Sequence, residues 1–168
     1  MNSQIKNESE IMNDFLNALG AALLAWQRVE NNLFLIFNSL AGPHKKPAVL
    51  SAIYYSGVNL MPRLKIVNAT AEVVLKDNPY LEEWKKLHKK ILKRADNRNS
   101  LAHFGLVRHI NGEKIKLFLK PSLFNVNADH NLEYDVKQID KWRLSFIDLS
   151  SDLSKFLDNL PANLPKGK

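Results

Sequence analysis

At 168 residues the chain is about one domain long, and it contains no cysteine, which excludes disulfides, thiolate metal sites and a cysteine nucleophile together. Apolar residues at 45% and charged residues at 24% match a folded globular domain and exclude a disordered chain. Twenty-four lysines and arginines against 17 acids leave a net charge of +7, which directs attention to phosphate-rich partners.

The first ten residues are polar and lack a signal-peptide pattern. The longest apolar stretch, Ala18–Trp26, falls short of the roughly 20 residues a membrane helix needs. A cytoplasmic protein with no membrane partner is therefore expected. From about Glu8 to Leu40, the residues Ile11, Phe15, Leu19, Leu23, Trp26, Leu33, Phe37 and Leu40 recur at steps of three, four or seven. That period predicts a long amphipathic helix, stopped by Ala41-Gly42-Pro43. A second helix is predicted over Lys46 to Tyr55, with Pro47 in its first turn. Asn59 is placed to cap a third, Leu60 to Leu75. Asn78 is placed to cap a fourth, from Pro79 to about His103, which Gly105 is expected to end.

Beyond Gly105 the period changes. Leu106–Ile110 and Lys114–Lys120 alternate as strands, and Asn111-Gly112 between them is a strong hairpin signal. Ile115, Leu117 and Leu119 fall on one face, Lys114, Lys116 and Lys120 on the other. Pro121 to Tyr134 reads as a loop. Asp135 then caps a last helix to about Leu160, striped by Ile139, Trp142, Phe146, Leu149, Leu153 and Phe156. The predicted fold is all-α: an up-and-down bundle of about five helices with a β-hairpin, about 105–120, inserted before the last helix. One domain is expected over 1–160, followed by a flexible tail, 161–168.

The basic charge is concentrated. Leu81 to Ser100 holds Lys85, Lys86, Lys89, Lys90, Lys93, Arg94 and Arg98 against Glu82, Glu83 and Asp96. A solvated helix face explains such a run as readily as a ligand does. The end of the run is more specific. Arg98-Asn99-Ser100-Leu101-Ala102-His103 closes the helix, and Asn99 and His103, four apart, sit about 40° from each other on its surface. Arg98 and His103 diverge by about 140° in an unbroken helix, so they converge best if the final turn frays at Gly105. The carbonyl end of a helix favours an imidazolium. Those groups suit phosphodiester cleavage by an RNA 2′-hydroxyl: His103 moves the proton, Arg98 stabilises the phosphorane and Asn99 orients an oxygen.

Metal chemistry has no foothold in the sequence. HExxH is absent, no two histidines stand four apart, and the carboxylates do not cluster, so neither metal nor cofactor is expected. His44, His88, His109 and His130 read as surface or hydrogen-bonded residues. Glu30 falls on the apolar stripe of the first helix, where a carboxylate needs a partner, and Arg98 is the expected one, making Glu30 a supporting residue. Lys85, Lys89 and Arg94 are candidate guides for an RNA backbone.

Arg98-Asn99-x-x-x-His103 at the end of a late helix resembles the motif of the HEPN family, the higher eukaryote and prokaryote nucleotide-binding domains. Trp26-x-x-x-Glu30 is similar, more loosely, to part of that family's first helix. The resemblance spans the four helices up to Phe104 and the last helix, with the hairpin as an insertion. It implies a metal-independent endoribonuclease that leaves 2′,3′-cyclic phosphate ends, often a toxin or phage-defence effector. It also implies a homodimer with a composite site and a neutralising antitoxin or regulatory protein. Some members carry a tyrosine two residues after the histidine, modified by a nucleotidyltransferase partner; here Gly105 holds that place, so the resemblance stops short of that pairing.

Two other classes compete. A non-catalytic HEPN-like module would bind a nucleotide, nucleic acid or protein without cleaving. A helix-turn-helix DNA binder is disfavoured, because the basic helix runs about 25 residues with no short recognition helix after it. The plainest alternative for the motif has Arg98 paired with a buried acid, while Asn99 and His103 satisfy the helix end.

Overall fold

The computed structural model describes residues 7–42, 46–112, 114–122 and 129–161. The expected tail beyond 161, together with Pro43, His44 and Glu113, lies outside the described residues. Five helices and one hairpin follow in order: α1 (Glu8–Ala41), α2 (Pro47–Tyr55), α3 (Leu60–Val74), α4 (Tyr80–His103), β1 (Gly105–Asn111), β2 (Lys114–Lys120) and α5 (Val136–Asn159). The fold is helical, with a two-stranded antiparallel hairpin before the last helix. None of the described helices is long and apolar enough to cross a membrane.

The helix starts follow local chemistry. Asn7 and Glu10 form a reciprocal capping box: Glu10 N–H donates to Asn7 Oδ1 at 2.9 Å, and Asn7 N–H to Glu10 Oε2 at 3.0 Å. Asn59 accepts from Met61 N–H, Asn78 from Tyr80 N–H, and Asp135 from Gln138 N–H. Gly42 takes a φ of +92° just past α1, a conformation that glycine reaches at little cost.

Four local expectations need correction. Gly105 does not take the left-handed conformation of a helix cap; it opens β1 opposite Lys120, and this extended pairing is what ends α4. The last turn of α4 is not frayed, because Phe104 N–H still donates to the Ser100 carbonyl at 3.0 Å. In the hairpin, Asn111 belongs to the strand, opposite Lys114, and Gly112 with φ +61° begins the turn one residue later than expected. The register sets this shift, since a one-residue slip would send every strand side chain to the opposite face. The segment after β2 is not wholly a loop either: Tyr134 and Leu119 exchange backbone hydrogen bonds at 2.9 and 3.0 Å.

The chain divides into two compact units: Met1–Trp26 with Arg94–Phe146, and Gln27–Lys93 with Ile147–Lys168. In the first, Phe15, Ala18, Ala22 and Ala25 are buried, as are Leu101, Leu117, Leu119, Ile139 and Trp142. The α1 stripe thus runs through small alanines, leaving Leu19 and Leu23 half-buried. Trp26 meets Phe146 edge to face at 5.0 Å, and Phe104, Tyr134 and Trp142 form a run of ring contacts.

The second unit buries Val29, Leu33, Ile36, Leu64, Val67, Leu75, Trp84, Ile91, Leu149, Leu153 and Phe156. Its interior polar groups are matched. Trp84 Nε1 donates to Asn68 Oδ1 at 3.0 Å, and Asn32 Nδ2 donates to the Ser150 carbonyl at 2.9 Å. On its surface Lys90 pairs with Asp152 at 2.7 Å.

Candidate functional site

Arg98, Asn99 and His103 all lie in the final stretch of α4, within the first unit. They are there because Trp84, Leu87, Ile91, Ala95 and Leu101 keep the apolar period of α4 inward to its end. That phase leaves Asn99 and His103 exposed on one side of the helix and turns Arg98 half inward. In the unfrayed helix Arg98 and His103 emerge about 140° apart, so the convergence expected from a loosened last turn does not occur through the backbone.

Among the described residues, the polar groups of this motif are unengaged. None of those residues bonds to the side chains of Arg98, Asn99 or His103, and Arg98 Nε is buried without an acceptor. The alternative in which a buried acid holds Arg98 and the other two satisfy the helix end therefore has no bond to stand on among these residues. A buried guanidinium nitrogen without an acceptor costs free energy on the order of 1–3 kcal/mol. An incoming anion would remove that cost.

The remaining candidates divide by role. Arg94 is half-buried, and its Nε donates to the Ser145 carbonyl at 3.1 Å, tying α4 to α5 within the first unit. Lys85 is exposed and pairs with Glu82 at 2.6 Å; that lysine holds the Glu82 carboxyl below its ordinary pKa. Lys89 is exposed. His109 and His130 are exposed as expected, and His88 is half-buried beside Trp84, with burial lowering its pKa. Among the described residues no three His, Asp or Glu side chains gather as metal ligands.

Glu30 belongs to the second unit, where it pairs with Arg63 Nη1 at 3.2 Å. Arg63 also donates from Nε to the Gly57 carbonyl at 2.9 Å and lies over the Tyr55 ring at 5.0 Å. Tyr54 donates to the Glu30 carbonyl at 3.3 Å, and burial followed by the Glu30 charge raises its hydroxyl pKa. The carboxylate thus helps lock α1, α2 and α3 together. Sequence reasoning missed Arg63 because its link to Glu30 spans 33 residues and follows no short motif. The hairpin lysines were visible as an alternating row but were not connected with a ligand.

No protein-family model, curated protein or solved structure matches this chain.

Proposed function

We propose that the protein is a HEPN-like, metal-independent endoribonuclease that uses the RNA 2′-hydroxyl as nucleophile and leaves 2′,3′-cyclic phosphate ends. His103 transfers the proton, Arg98 neutralises charge on the pentacoordinate phosphorus, and Asn99 orients a phosphate oxygen. The observation that carries this reading is a set of three polar side chains at one helix end with no bond among the described residues, one of them a guanidinium with a buried nitrogen lacking an acceptor. The net charge of +7 supports a polyanionic substrate, with Lys85 and Lys89 as exposed backbone guides. Arg94, already bonded to Ser145, serves that purpose less well.

The divergence of Arg98 from His103 in an unbroken helix supports a composite site in a homodimer, one copy contributing the guanidinium and the other the imidazole. A toxin or phage-defence role, held in check by a regulatory protein, accords with such an activity. The same divergence also favours a second reading, a non-catalytic module that binds nucleic acid or a protein through Arg98 without cleaving.

Incubation with transfer or ribosomal RNA in EDTA separates the two. The nuclease reading expects fragments with cyclic phosphate ends, and a rate loss of roughly 10²- to 10⁴-fold in His103→Ala. Cleavage that persists unchanged in that variant removes His103 from the reaction. Absence of cleavage, together with RNA binding that weakens in Arg98→Ala, supports the module.

A further inference from the structure

The hairpin carries a second chemistry, which its register makes explicit. Directly opposed residues of an antiparallel pair share a face. Leu106, Arg108 and Ile110 oppose Leu119, Leu117 and Ile115. Leu117 and Leu119 of this face are buried, and Arg108 pairs with Glu8 of α1, so it is turned towards the body of the first unit. The other face carries Lys114, Lys116 and Lys120, with His109 opposite Lys116 and Phe118 opposite Val107.

We propose that this outer face is a docking track for the phosphate backbone of single-stranded RNA, leading towards the helix-end motif. The proposal rests on the ribonuclease reading, to which it adds the path by which substrate approaches. Lys114, Lys116 and Lys120 stand on alternating positions of one strand, along a row about 20 Å long. Lys114 and Lys116 are exposed and have no carboxylate partner among the described residues, whereas Lys120 pairs with Glu133 at 2.6 Å. The row ends at Lys120, whose strand partner Gly105 follows His103 by two residues.

Charges placed to prevent strand pairing belong on an edge strand. β1 flanks β2 along its length on one side, while on the other Tyr134 meets it at Leu119, so edge protection accounts for Lys114 and Lys116 in part. All three lysines nonetheless share one face of the hairpin with His109, a positive strip complementary to a phosphate backbone. Phe118, half-buried on the same face, places an aromatic ring among them, the side-chain type on which bases stack.

The test measures binding of a fluorescent 2′-O-methyl RNA 20-mer, which lacks the attacking hydroxyl, as a function of salt. Lys114→Ala/Lys116→Ala is compared with Lys65→Ala/Lys155→Ala, a control of equal net charge at exposed positions of α3 and α5. The hairpin variant is expected to bind at least about fivefold more weakly, and its salt slope to fall by about 1.4, at ~0.7 for each phosphate that is no longer neutralised. Unchanged affinity and slope, or an equal loss in the control, overturn the track. A labelled polyglutamate peptide is titrated in parallel. If only its binding depends on Lys114 and Lys116, the face receives an acidic protein and the proposal fails. Cleavage of unmodified RNA is scored separately, so loss of the nuclease reading leaves the salt-slope result to judge the track by itself.

Discussion

Arg98 and His103 end the same unbroken helix, yet the guanidinium Nε of the first is buried without an acceptor while the imidazole of the second is exposed. Five residues apart, they face about 140° from one another. On the proposed ribonuclease reading, groups so arranged meet on one phosphate most simply when two copies each contribute one of them.

That relationship can be tested by mixing. Arg98→Ala and His103→Ala, each inactive alone, are co-refolded at equal concentration. A composite dimer recovers about a quarter of wild-type cleavage, because half the dimers are mixed and each holds one intact site. A site built from one copy recovers nothing above the separate variants.

Arg98→Met removes the unsatisfied nitrogen while keeping an unbranched side chain of similar path. Because the buried Nε has no acceptor, the variant is expected to be as stable as the parent or more so, by up to about 1 kcal/mol. For a chain of this size that is a melting-temperature rise of roughly 2–4 °C in a calorimetric scan. A fall of several degrees would show that the protein itself depends on the guanidinium.

The Glu30–Arg63 pair should behave as a structural clamp. Its side chains are only 22% and 19% exposed, so screening is reduced, though not abolished. A cycle of Glu30→Gln, Arg63→Met and the double variant, followed by urea unfolding, is expected to give a coupling of about 1 kcal/mol. Arg63→Met alone should cost roughly 2 kcal/mol, since the Gly57 carbonyl and the Tyr55 ring lose their partner as well. Strict additivity in the cycle would mean that the pair contributes nothing.

His88 makes stability depend on pH. Burial lowers its pKa in the folded chain below the ordinary 6.5, and Glu72 opposes that only in part. Below 6.5 the unfolded chain takes up a proton that the folded chain still refuses, so stability falls as pH drops through the folded pKa. The melting temperature should therefore decline from pH 7.5 towards pH 5, and His88→Gln should flatten that decline. An identical slope in the variant would assign the effect to other groups.

Much of the fold was legible from local signals. Asn59, Asn78 and Asp135 cap the helices they precede, and the α5 stripe from Ile139 to Phe156 is buried throughout. Capping and amphipathic burial act over a few residues, so spacing along the chain suffices to read them. The Arg98-Asn99-x-x-x-His103 spacing is likewise plain in the amino-acid order alone.

Partnership between distant residues was not legible. Glu30 needed a cation, which its place on an apolar stripe made clear, but that Arg63 supplies one depended on how α1 and α3 pack. The end of α4 was decided by Gly105 pairing with Lys120, which removed the frayed turn that its glycine suggested. The lysine row became a candidate track once the register of β2 against β1 set it on the face opposite the buried Leu117 and Leu119. Sequence by itself determined which residues are helical, capped and inward-facing, because those follow from short-range sterics and hydrogen bonding. Only the tertiary structure decided which charges meet and which polar groups are left without a partner, because those depend on contacts between segments far apart in the chain.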